Sequence, residues 1–113
     1  MARQLTDDWQ EVEEAFARLD KYQAWRPIVA AMRHLIAMIR ADSRFHDLEP
    51  SVSHACLVFR RRAKRSVFVS WNVDNGSYRI AFVVGVFELR DSRIVREGAV
   101  LDVLFEYLER APL

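Results

Sequence analysis

The chain has 113 residues, enough for one domain spanning 1–113 and too few for two comfortable ones. Hydrophobic residues are 51% of it and charged residues 29%, which argues against a disordered chain. A domain this size buries roughly two-thirds of its unfolded surface, enough for one core without staples.

The formal charge of +1 points neither toward nor away from a nucleic-acid or membrane partner. Arg dominates the basic residues, which reads as GC-rich coding and points to a bacterial source. Cys56 is the single cysteine, so no internal disulfide can form. Met1 runs directly into charged Asp7 and Asp8, without a signal-like apolar region. No apolar run approaches the ~18 residues of a membrane span. These features together predict a cytoplasmic protein with no membrane partner.

Trp9, Val12, Phe16 and Leu19 recur at helical spacing and predict a first helix over about 7–23, with Thr6 as N-cap. Pro27 suits the first position of a second helix over about 27–41, whose apolar face is Ile28, Met32, Leu35, Ile36 and Ile39. The short link at 22–26 makes the two an αα-hairpin. Its acidic first helix and the basic stripe Arg26, Arg33 and Arg40 read as solvent faces that pair with each other. Residues 42–53 read as loop, with Phe45 and Leu48 tucked in.

Asn75-Gly76 is the favoured centre of a two-residue type I′ hairpin turn. That turn pairs Val73 with Tyr78, Trp71 with Ile80, Val69 with Phe82 and Val67 with Val84, all apolar and all on one face. Phe68 and Val83 then fall on the opposite face. A preceding strand at about 54–60 pairs through a turn at 61–64. A two- or four-residue turn puts His54 and Cys56 on the Trp71 face, and a three-residue turn puts Ala55, Leu57 and Phe59 there. Residues 86–95 continue the third strand or add a short fourth near Ile94-Val95, with a turn at Asp91-Ser92. A final helix covers about 97–110, stopped by Pro112, and is so apolar that it must be covered on more than one side.

The expected fold is therefore α+β in the order ααβββα: an N-terminal αα-hairpin and a C-terminal helix on a three- to four-stranded antiparallel sheet. Such a sheet leaves a second face, where Phe68, Val83 and Phe87 are candidate interface residues. Their apolar surface predicts a homodimer or a dedicated protein partner.

Arg60, Arg61, Arg62, Lys64 and Arg65 place five cations in six residues at a predicted hairpin tip. Clustered, exposed cations on a projecting arm suit phosphate, which makes nucleic acid a possible partner. The competing reading is a solvated turn that guards a strand edge. His54 and Cys56 point the same way along a strand, but they supply only two of the roughly four ligands zinc needs. The sequence has no GxSxG, no phosphate-binding glycine loop and no framed carboxylate pair, so no catalytic residue, metal or cofactor is assigned. The reading that remains is a small non-enzymatic interaction protein of the accessory, immunity or antitoxin kind, with nucleic-acid binding through 60–65 as the alternative.

Overall fold

A computed structural model describes residues 8–61, 64–86 and 88–110. Three α-helices, α1 (Asp8–Leu19), α2 (Arg26–Ala41) and α3 (Val100–Arg110), lie on one face of a five-stranded antiparallel sheet. The strands are β1 (Pro50–Ser53), β2 (Cys56–Arg60), β3 (Arg65–Asn72), β4 (Ser77–Val84) and β5 (Glu88–Val95). They form a simple meander, each paired with its chain neighbours. The α+β class and the helix–sheet layering are as the sequence implies, and the sheet gains β1 and a full-length β5. Thr6, Pro112 and the candidate residues Arg62 and Phe87 lie outside the described residues.

The helical periodicities hold with shorter ends. Val12 and Phe16 of α1 are buried, as are Val29, Met32, Leu35, Ile36 and Ile39 of α2. Arg40 of α2 pairs with Glu13 of α1 at 2.7 Å, so the acidic and basic faces meet in part across the αα-hairpin. Residues 42–53 are not simply loop. Asp42 caps a short 3-10 turn, Ser43–Phe45, by accepting the Arg44 N–H at 3.0 Å, and Phe45 enters the core. The chain then forms β1, which leans on α1.

β1 and β2 are joined by two residues, His54 and Ala55, with φ of 50° and 64°. This is the backbone a two-residue primed turn demands, built here from residues with a Cβ. His tolerates the left-handed region better than most residues, whereas Ala gains nothing from it. His54 therefore belongs to a turn rather than a strand.

Between β2 and β3, the Arg61 N–H donates to the Arg65 carbonyl at 2.7 Å, which encloses residues 62–64. Lys64 ends this three-residue connection at φ 58°. Its odd length sends Leu57 and Phe59 toward the helices, and Cys56 and Val58 away from them.

The β3–β4 hairpin departs from the expected register. Trp71 pairs with Tyr78 and Asn72 with Ser77, so the loop holds four residues, 73–76, rather than two. Asn72 is the cause. Its Oδ1 accepts the N–H groups of Asp74 (3.0 Å) and Asn75 (3.3 Å), and its carbonyl accepts the Gly76 N–H at 2.9 Å. An Asn side chain that mimics the backbone closes the turn earlier than Asn75-Gly76 alone would. Gly76 takes the left-handed position, at φ 60°. Val73 is left in the loop, 52% exposed, instead of on the core face. The slip is two residues, so every other side chain keeps its face.

β5 runs straight through Asp91-Ser92, where a turn was expected. Its pairing with β4 steps from Phe82–Asp91 to Val83–Leu89, leaving Arg90 as a bulged residue. α3 is preceded by a 3-10 turn at Glu97–Ala99 and buries Val100, Val103, Leu104, Tyr107 and Leu108. Its flank is covered by Phe45, edge-on to Phe105 at 6.0 Å, and by the Arg44 guanidinium, about equally close to both rings. Asp91 fastens α3 to β5: its Oδ2 accepts Arg110 Nη1 at 2.9 Å and the Tyr107 hydroxyl at 3.1 Å.

Replacing Ala55 by Gly should relieve the strained turn and raise the unfolding free energy by about 0.5–1 kcal/mol. Urea denaturation reads this directly, and an unchanged or lowered midpoint contradicts it.

The hydrogen bond from Arg110, then that from Tyr107, holds the Asp91 carboxyl below the usual carboxylate range. A depressed folded pKa stabilises fully above the unfolded value of about 3.9, and that stability is lost as pH falls toward the folded pKa. Asp91→Asn should therefore lower the melting temperature at neutral pH, with the difference from wild type shrinking below about pH 4. A difference that stays constant from pH 7 to pH 2 would contradict the assignment.

Candidate functional site

The three helices cover one face of the sheet and leave the other bare. The bare face carries alternate residues of each strand: Ser51 and Ser53 of β1, Cys56, Val58 and Arg60 of β2, Ser66, Phe68 and Ser70 of β3, Arg79, Ala81 and Val83 of β4, and Leu89, Ser92 and Ile94 of β5. Phe68 lies at its centre, paired with Val58 on one side and Ala81 on the other. Val58 and Val83 are 3% and 8% exposed, although neither belongs to the helix-side core. Leu89 and Ile94 remain more than half exposed.

Two adjoining hollows mark this face. The larger, 460 Å³, is floored by Val58, Phe68 and Val83 and rimmed by Arg60, Arg61 and Lys64. The smaller, 230 Å³, shares Phe68 and Val83 and is bordered by Cys56, Ser70 and Arg79. Ser66 and Ser70 mark the two ends of this floor, about 13 Å apart at the usual rise per strand residue. Arg60 pairs with Ser66 and Arg79 with Ser70, so a cation stands at each end.

The backbone fixes the basic tip against this face. The Lys64 carbonyl accepts the Gly85 N–H at 2.8 Å, which joins the β2–β3 connection to the β4–β5 connection. Burial lowers the pKa of the Arg61 guanidinium from its ordinary value. Arg65 pairs with Val84 on the helix side of the sheet, so it stands at the rim rather than over the floor. Among the described residues, Arg60, Lys64 and Arg65 make no ion pair, and no carboxylate is carried by the bare face.

Of the residues singled out in the sequence, the fold brings Arg60, Lys64, Phe68 and Val83 to one place, with Arg61 and Arg65 at its edge; Arg61 also borders a separate hollow beside Asp47, Leu108 and Glu109. The fold does not gather the histidines at the Phe68 floor. His54 is exposed in its turn, and His46 faces the Ser43 carbonyl and Asp47. Cys56 Sγ donates to the His54 carbonyl at 3.7 Å, and burial raises its thiol pKa against the opposing pull of Ser70 and Arg79. Among the described residues, no three His, Cys, Asp or Glu side chains cluster as a metal site requires.

Several contributors to this face were not singled out as site residues in the sequence, among them Val58, which depended on an undecided turn length, Arg79, and the serines Ser66, Ser70 and Ser92. A signal for the cationic character was nonetheless present. Residues 50–86 contain Arg60, Arg61, Arg62, Lys64, Arg65 and Arg79 against the single acid Asp74, a formal +5. The rest of the chain carries −4, so the overall +1 conceals a segregation of charge along the sequence.

Comparison with family models, with curated proteins and with solved structures finds no match to this chain. Among the described residues, no helix is long and apolar enough to cross a membrane.

Proposed function

We propose that this chain is a non-catalytic binding module of the accessory, immunity or antitoxin kind. It engages a negatively charged macromolecule through the helix-free face of its sheet. The observation that carries the reading is the coincidence, on one face, of an uncovered apolar floor and cations without carboxylates. Apolar area supplies affinity, and a field of one sign steers an oppositely charged partner and excludes a like-charged one.

The same charge argues against a homodimer built face to face. A two-fold axis through this face would set Arg60, Lys64 and Arg79 of both copies against each other. The sheet edges offer no better route. β1 is short, begins at Pro50 and is backed by α1. β5 is bulged and carries Glu88, Arg90, Asp91 and Arg93. Such edges resist strand addition. A distinct anionic partner therefore fits better than a second copy.

Retention on immobilised heparin tests the reading. The Arg60→Gln/Lys64→Gln variant should elute at clearly lower salt than wild type. Arg33→Gln/Arg96→Gln, which removes two exposed charges outside this face, should elute like wild type. Equal losses in both variants, or no retention of wild type, would refute the assignment of this face.

A further inference from the structure

Resting on the anionic-partner reading, we infer that the partner is a single-stranded nucleic acid, with two successive bases seated in the two hollows on either side of Phe68.

The first argument is the pairing of hollows with cations. Each hollow has part of the Phe68–Val83 floor and its own cationic border, Arg60 and Lys64 at one end and Arg79 at the other. A repeating ligand whose every unit joins a flat apolar group to an anion matches a repeating floor-and-cation surface. Nucleotides have that composition. Bases stack on aromatic rings and on guanidinium planes, and the backbone follows the positive charge.

The second argument concerns the neighbours of the floor. Ser66, Ser70 and Ser92 share the face, and the Arg79 guanidinium lies 3.4 Å from Ser92 Oγ. Neutral hydroxyls can donate to or accept from base edges without adding repelling charge.

The third argument separates this ligand from an acidic peptide. An extended peptide gains affinity chiefly by adding a strand to an open edge. Here β1 is backed by α1, and β5 is bulged and charged, while the face stands open. A ligand read through its side groups on the face is favoured over one read through its main chain at an edge. The hollows also favour unpaired bases over a duplex, because bases must splay out to reach a recessed ring.

Fluorescence anisotropy with a labelled dodecamer of oligouridylate tests this, with a dodecamer of abasic sugar-phosphate, a duplex of equal length and poly-glutamate as competitors. Wild type should prefer the oligouridylate to all three. Phe68→Ala should weaken oligouridylate binding by about 5- to 150-fold, the range for loss of one base stack. Phe68→Leu keeps an apolar side chain in the floor and should also weaken it several-fold, while the abasic strand should bind both Phe68 variants like wild type. Arg60→Gln/Lys64→Gln should reduce the slope of log affinity against log salt by about 1.4.

If the abasic strand or the duplex competes as well as oligouridylate, or Phe68→Leu binds like wild type, the base-seating inference is wrong and the anionic surface survives. If poly-glutamate competes best, the partner is an acidic protein and the inference fails. If wild type binds none of the four, the anionic-partner reading falls as well.

Discussion

The two-residue alternation of β3 is the constraint from which the rest of this structure follows. Val67, Val69 and Trp71 face the helices, and Ser66, Phe68 and Ser70 face away. Pairing extends that division sideways. Leu57, Val69 and Ile80 form a fully buried row across three strands, with Phe59 and Val67 beside it. Each such side chain contributes about 1.5–3 kcal/mol by leaving water. A one-residue slip of β3 would turn Ser66, Phe68 and Ser70 to the helices in place of Val67, Val69 and Trp71, so the register is strongly specified wherever the helices sit. The bare face is the remainder of the same division. Its residues are there because their neighbours are required elsewhere.

The helix layer is fastened in ways that keep the division permanent. The Tyr78 hydroxyl donates to the Ala31 carbonyl at 2.7 Å, tying the start of β4 to α2. Burial, aided by the charge of Glu97, pushes that phenol up to about 12, so it remains a donor throughout the physiological range. Asp91 holds α3 through Arg110 and Tyr107, and Arg44 bridges Asp42 and Asp102 across the α3 flank. The helices are thus committed to one face through β4 and β5. No described helix crosses to the other, so the surface built around Phe68 stays uncovered by the helix layer.

Much of this was legible in the residues. Helix positions, the central hairpin and the two faces of β3 follow from periodicity, because burial on one side imposes a period that survives small errors in register. The two-residue displacement at 73–76 was hidden in Asn72, whose side chain competes with the backbone for the turn. β1 was hidden because Pro50-Ser51-Val52-Ser53 has little apolar signal and is closed by His54-Ala55, residues that do not announce a primed turn. β5 was hidden by its charges and by the bulge at Arg90, which breaks the alternation. The candidate site was legible only as separate parts. Arg60, Arg61 and Lys64 read as a tip, and Phe68 and Val83 as a spare apolar face. Their union depends on the three-residue connection between β2 and β3, which pattern alone left undecided. A near-neutral total charge also masked the cationic 50–86 segment behind the acidic residues of α1, α3 and the 42–49 segment.

The central claim is that the helix-free face, and not the helix layer, is where this protein meets its partner. An NMR titration of isotope-labelled protein with oligouridylate tests that claim most directly. The account predicts progressive shifts at Val58, Phe68, Arg79, Ala81 and Val83, with α1 and the outer faces of α2 and α3 unmoved. Shifts confined to the helices, with the Phe68 region silent at saturating ligand, would contradict it.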